Sequence, residues 1–461
     1  MTADTYDALV IGAGAGGMAA AARLQHLGYR TLLVERRDRV GGRASSMEVA
    51  CEGEVFTVNT GALIFELGGE NGRLFDDVGA DPGVCEMERP LTLRMGSRDI
   101  ALMSGPTGAV FGRLMGGVGL VAGRLGRLRP ARGVDTETWL RSLHAGRRIM
   151  ALVRSLCSAL FAAQPADVEA ALFFDYLTKP DALGTYAAHP EGSVGPWRAL
   201  AEHFQREGGT LWLDSTVRSL TFDERAHEQG DGQTDERRDG QADEGGDGRR
   251  LASGAVIERD GTPVTVAARV VVSNAGPPLT VKLCGDAAPA RWAAEVRDSF
   301  RPGTLITINF ASRVPMSKFD GLMFFGTTRR LAYGGNLTIM SPKMAPDGWH
   351  LYACAGTPDP TSWDFDLDAE VELLKQDLRE TFPEFDQAHI ISVEVTSADR
   401  DWPAQWAIAG QGQPRTTPIP NLYNVGDGVY EWASAGQSGC VEGARLVVEE
   451  IQRRFPLNTA P

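Results

Sequence analysis

The stretch "DALVIGAGAGGMAAAARLQHLGYRTLLVER", Asp7 to Arg36, constrains the fold of this chain more than any other feature. An apolar run of strand length meets a Gly-Ala turn, then an alanine-rich segment of helical character, then a second apolar run that ends in an acid. Gly12, Gly14 and Gly17 satisfy GxGxxG between strand and helix. The first glycine permits the tight turn, the second lets a diphosphate approach the main chain, and the third lets helix and strand pack closely. Ala15 and Gly16 open the helix, whose free N–H groups and dipole favour negative charge. Glu35 lies 18 residues beyond Gly17, near the spacing of a carboxylate that holds a ribose diol. The unit predicts a dinucleotide site.

At 461 residues the chain is too long for one small core and suggests two or three domains that share surfaces. A formal charge of −14 argues against nucleic acid as a partner, because phosphate backbones need basic faces. Six scattered cysteines without a CxxC pair fit reduced, mostly buried thiols in a cytoplasmic protein, and no zinc or other metal cluster is expected. The opening "MTADTYDALV" lacks the basic region of a secretory signal. No apolar run reaches the roughly 18 residues of a spanning helix. The basic segment from Ala109 to Arg132 reads either as a glycine-interrupted lid over a cavity or as a helix resting on anionic lipid, which would make the protein peripheral at the membrane. The lid is preferred. Residues 223–250 carry no large apolar side chain and are expected to be a disordered excursion between two strands.

A second motif, "RRDRVGGRASS", follows the acid directly. Gly41 and Gly42 allow close backbone approach, and Arg43 offers paired donors to phosphate oxygens. Here the sequence resembles the flavoprotein superfamily of amine oxidases, protoporphyrinogen oxidases and phytoene desaturases, whose GG-R-x-S element packs along the FAD diphosphate. The resemblance extends to "YAAHPEGSVGPWRALAEHFQREGGTLWLDSTVRSL", where Val217 matches a valine whose backbone meets adenine. It continues through "VVVSNAG" and "NLYNVGDGVYEWASAGQSGCVEGARLVVEEI". It implies FAD as cofactor, held by Gly12, Gly14, Ala15, Gly16, Gly17, Glu35, Arg36, Gly41, Gly42, Arg43, Val217, Asn274, Gly426, Asp427, Gly436, Gln437, Ser438 and Val441. It also implies an α/β fold, a Rossmann-like FAD-binding domain of the GR2 type with an inserted α+β substrate domain. The FAD-binding parts fall at 1–85, 189–285 and 416–461. The substrate domain takes 86–188, read as mainly helical, and 286–415.

Catalysis by a flavin needs a substrate C–H aligned with the ring and sometimes a base for the accompanying proton. Tyr430, Glu431 and Trp432 follow the Asp427 turn, with Glu431 the candidate proton acceptor and the two aromatics candidate walls. His189, before Pro190 and Gly192, ranks below them. The expected activity is a dehydrogenase or desaturase that makes C=C bonds in a lipophilic, isoprenoid or polyene substrate. Amine oxidation and redox-neutral double-bond isomerisation are the alternatives. The stretch "DGVYEWASAG" stands where bacterial carotenoid desaturases carry a His-Pro-Gly-rich segment, so a carotenoid substrate does not transfer.

Overall fold

Short apolar runs bounded by turn residues make strands here, and their burial decides which sheet each joins. The computed structural model describes residues 5–96, 98–102, 129–179, 185–224 and 250–457. Most of the basic segment Ala109–Arg132 and nearly all of the excursion 223–250 lie outside the described residues.

The first sheet has seven strands. Strands Thr210–Trp212, Thr31–Val34, Thr5–Ile11, Thr262–Ser273 and Leu422–Asn424 run parallel in that spatial order. Ser215–Glu224 and Arg250–Arg259 extend it as an antiparallel meander on the outer half of Thr262–Ser273. Strands of a parallel sheet are covered on both faces and read as continuous apolar runs, as "TLLV" does with all four residues buried. The chain leaves Thr5–Ile11 toward one side and returns on the other. A crevice therefore opens at the carboxyl ends of Thr5–Ile11 and Thr262–Ser273, the place where such sheets bind ligands.

Helix Ala15–His26 covers one face. Its small side chains Ala19, Ala20 and Ala21 are fully buried, which lets helices Gly195–Arg206 and Gly436–Arg454 pack against it. Residues from the start, middle and end of the chain thus share one core, from Ala8 to Ile451.

The second sheet is ordered His389–Thr396, Leu305–Ser312, His350–Gly356, Tyr333–Asn336, Leu322–Phe325, Leu91–Met95, Arg98–Ala101. Alternation sorts its side chains. Ile306, Ile308 and Phe310 pack with helix Leu367–Thr381 through Leu374 and Leu378, while Leu305, Phe324 and Tyr333 belong to the opposite face. Helices Thr136–Ser142, Arg147–Phe161 and Ala170–Leu177 form a separate layer. A three-stranded sheet, Phe65–Glu66, Tyr186–Ala188 and Cys85–Glu86, connects the two halves.

"TPVTVAARVVVS" is one 12-residue strand, in which Ala267 and Ala268 carry the ladder on without a turn residue. The described residues of 86–188 hold three helices and also contribute strands. Leu91–Met95 pairs parallel with Leu322–Phe325, so it joins the second sheet. All six cysteines are free, four of them buried, with Cys85 exposed. Among the described residues there is no metal-binding cluster of His, Cys, Asp and Glu, and no helix is long and apolar enough to cross a membrane.

Candidate active site

Three glycine turns converge on Asn274, at the carboxyl edge of the first sheet. The chain leaves Thr5–Ile11 through Gly12, whose φ of +90° suits glycine. A Cβ on Gly17 would stand 1.8 Å from the Gly12 carbonyl oxygen, so the helix and the turn touch main chain to main chain. Gly16 meets the Gly426 nitrogen, and Gly14 and Gly426 both abut the Asn274 amide. The Gly41 N–H donates to the Ala13 carbonyl at 2.8 Å, and Gly42 lies against Gly14. Helix Ala15–His26 has Gly14 as its N-cap, with no capping side chain and no acid in the first turn. Its first N–H groups are left for a ligand.

Glu35 ends strand Thr31–Val34, 7% exposed, and its carboxylate accepts the Ala13 N–H at 2.8 Å and the Arg37 N–H at 2.9 Å. It is fixed beside the glycine turn. Arg36 and Arg37 both stack on Trp402, at 5.2 and 3.9 Å, and both pair with Asp401. Arg43 donates to Asp427 at 2.5 Å and to the Pro403 and Ala404 carbonyls. Burial lowers the affinity of Arg43 for its proton, and the Asp427 carboxylate more than reverses this, so its pKa is raised. Asp427 also accepts the Trp406 N–H at 3.0 Å. The arginine and the aspartate, read as separate ligand contacts from sequence, are partners of one another.

These groups border one continuous cavity of about 850 Å³. Its first half is lined by Gly12, Gly14, Ala15, Gly16, Glu35, Arg36, Gly41, Gly42, Arg43, Val217, Asn274 and Asp427. Gly436 and Gln437, which open helix Gly436–Arg454, border the passage to the second half. Gln437 is locked, accepting from Trp197 Nε1 at 3.0 Å and donating to the Ile64 carbonyl at 3.1 Å. Four residues expected at the cofactor do not line the cavity. Gly17 is a packing glycine, Val441 is fully buried in the first core, and Ser438 lies beside Glu66. Gly426 acts through its close approach to Asn274 and Gly16.

The second half is an apolar chamber walled by the second sheet, through Leu305, Leu322, Phe324 and Tyr333, and by helix Arg147–Phe161, through Leu152 and Leu156. Of the four catalytic candidates, Tyr430 alone borders the cavity. Its hydroxyl donates to the Gly436 carbonyl at 3.1 Å, and burial holds its pKa well above the ordinary phenol range. Glu431 turns outward into an ion pair with Arg415. Trp432 donates to Asp175 at 2.9 Å and is stacked by Arg132. The His189 ring packs on Gly195, accepts the Glu191 N–H at 3.1 Å, and burial lowers its pKa. The geometry gives none of these three a reach into the chamber.

Sequence reasoning missed Glu66. It borders the chamber, and burial raises the pKa of its carboxyl against the opposing hydrogen bonds of Ser438. Its neighbour across the ladder is Tyr186, also in the lining. A two-residue strand carries no motif, so no sequence signal singled it out.

Comparison with known proteins gives the class. Residues 10–79 match the family of NAD(P)-binding Rossmann-like domains. The whole chain shares its fold with an oxidoreductase from Methanosarcina mazei (TM-score 0.76, 23% identity, 96% of this chain and 99% of that one). It also shares it with putrescine oxidase (TM-score 0.66, 16% identity, 98% and 99%) and a CLA-producing fatty acid isomerase from P. acnes (0.60, 11%, 98% and 99%). Among curated relatives, an uncharacterized protein of Methanocaldococcus jannaschii is 26% identical over 187 residues, 40% of this chain and 42% of that protein. A neurosporene-forming phytoene desaturase of Rhodobacter capsulatus is 60% identical over 40 residues, 9% of this chain and 8% of the enzyme. The chain therefore carries a Rossmann-like dinucleotide-binding domain within a fold that it shares with these solved structures.

Proposed function

We propose that this protein is an FAD-dependent oxidoreductase that removes hydride from a lipophilic carbon skeleton and leaves a C=C bond. The residues of the first half of the cavity fit the dinucleotide. Uncapped N–H groups of helix Ala15–His26 suit a diphosphate, Glu35 is held where a ribose would lie, and Val217 lines the adjoining wall. The bound flavin supplies the hydride acceptor. The chain's own residues shape the chamber, exclude water and orient the substrate.

The observation that carries the substrate class is the lining beyond Gly436. Aliphatic and aromatic side chains form most of it, with Glu66 the one carboxyl among the described residues there. An amine cation would depend on that carboxyl as its counter-charge, and burial favours the neutral form of Glu66. The test is the absorption spectrum of the purified protein, followed by anaerobic mixing with polyene, alicyclic and amine compounds. Bleaching of the flavin band by a C–C substrate, with loss of two hydrogens in the product, supports the reading. Bleaching by amines alone overturns it. An unchanged product mass would assign double-bond isomerisation instead, a reaction that the same apolar chamber accommodates.

A further inference from the structure

The chamber is mainly apolar, and its one carboxyl among the described residues has a tyrosine beside it. Phe65–Glu66 pairs antiparallel with Tyr186–Ala188, and Glu66 stands directly opposite Tyr186 in the register. Directly opposed residues project from the same face of a sheet, so the carboxyl and the phenol enter the cavity side by side. Ser438, in the first turn of helix Gly436–Arg454, lies beside the carboxyl and works against the rise that burial gives its pKa. Tyr186 is 6% exposed and has no hydrogen-bond partner for its hydroxyl among the described residues. Tyr333 repeats the pattern on the far wall, 7% exposed and equally unpartnered. A tyrosine hydroxyl that lines a cavity without a protein partner is open to a polar atom of a ligand.

We propose that Glu66 and Tyr186 form a polar anchor that hydrogen-bonds one uncharged oxygen group, a hydroxyl or carbonyl, of an otherwise apolar substrate. This deepens the functional reading above and rests on it for the identity of the chamber. An oxygen group suits both partners. The phenol donates or accepts, and the carboxyl, whose pKa burial raises, donates when it holds its proton. No lysine or arginine lines this half of the cavity among the described residues, so a carboxylate substrate would enter without a counter-charge. An ammonium group would require the carboxyl to ionise where burial opposes it.

The anchor is tested with three probes on one skeleton: farnesol, farnesene and farnesylamine. Each is titrated into the full-length protein, and quenching of tryptophan fluorescence is followed, since Trp402 and Trp406 border the cavity. Farnesol is expected to bind about tenfold more tightly than farnesene. Tyr186→Phe, which removes one hydroxyl, is expected to weaken farnesol about three- to tenfold. Glu66→Leu is expected to weaken it about tenfold. Glu66→Gln keeps a donor in place and is expected to stay within about threefold of the natural protein.

Equal binding of farnesol and farnesene overturns the anchor, as does unchanged affinity in both Tyr186→Phe and Glu66→Leu, or failure of all three probes to bind. Tightest binding of farnesylamine, lost in Glu66→Gln, also overturns it and assigns an anionic carboxylate. Flavin quenches tryptophan emission, so each titration is referred to the starting emission of the same preparation, flavin-free or flavin-loaded. A colourless protein that refuses FAD yet binds farnesol as described would sink the oxidoreductase reading alone. A flavin-loaded protein that binds farnesene equally would sink the anchor alone.

Discussion

Replacing Gly17 by alanine tests the geometry of the dinucleotide crevice with one methyl group. Its Cβ would lie 1.8 Å from the Gly12 carbonyl oxygen, whereas real Cβ contacts do not fall below 3.0 Å. The helix must therefore retreat from the turn by at least the difference, 3.0 − 1.8 = 1.2 Å. It has little room, because Met18, Ala19, Ala20, Ala21 and Leu24 are fully buried against other elements. Overpacking of this kind costs about 1–3 kcal/mol of stability.

The N–H groups of the first turn move with the helix, and a 1.2 Å displacement carries a hydrogen bond out of range. Losing one charge-assisted bond to a phosphate costs about 1.5–3 kcal/mol, or about ten- to a hundredfold in FAD affinity. The assay is flavin retention through gel filtration and a titration of the cofactor-free protein, with thermal unfolding alongside. Gly443→Ala is the control. It lies inside helix Gly436–Arg454, its nearest outside neighbour is Arg415 Cδ at 3.9 Å, and the change is expected to stabilise by about 0.5–1 kcal/mol. Normal FAD affinity and unfolding temperature in Gly17→Ala would refute the contact argument.

Arg43→Ala leaves Asp427, 6% exposed, with one remaining donor, and is expected to cost about 2–3 kcal/mol in urea unfolding. A change below about 0.5 kcal/mol would show that the pair contributes nothing. Glu66 holds its proton more tightly folded than unfolded, so the stability it contributes is full below the ordinary carboxyl range and declines as pH rises through its elevated folded value. Glu66→Gln is accordingly expected to match the natural protein near about pH 4.5 and to exceed it in stability at about pH 8; equal stability at both would refute the assignment. Glu431→Gln is expected to leave the rate of flavin reduction within about twofold, because its carboxylate faces Arg415, while a hundredfold fall would restore it as the base.

What the sequence disclosed was local. The glycines, Glu35 and Gly41–Arg43 were legible because each occupies a fixed offset in one strand–turn–helix unit, where backbone sterics leave few residue choices. Strand Leu91–Met95 was not, since its partner lies some 230 residues away and five residues, apolar at alternate positions, are too few to establish a period. Glu431 and Glu66 show the same limit at the site. Proximity to the Asp427 turn favoured Glu431, but the chain reverses and sends it to Arg415. Glu66 reaches the chamber through a cross-strand pairing with Tyr186, 120 residues on, which leaves no trace in nearby spacing.

The strand Leu422–Asn424 and the helix Gly436–Arg454 complete a sheet begun at Thr5, and the Tyr29 hydroxyl bonds to the Phe455 carbonyl across 426 positions. On a ribosome adding roughly 5–20 residues per second, about 20–90 s separate emergence of the first glycine turn from that of the elements that close it. During that interval the nascent amino-terminal unit has an unsealed core and nothing to grip a nucleotide. A nucleotide gripped by both ends of the chain would then be captured late in biogenesis, and its binding would stabilise only the completed fold.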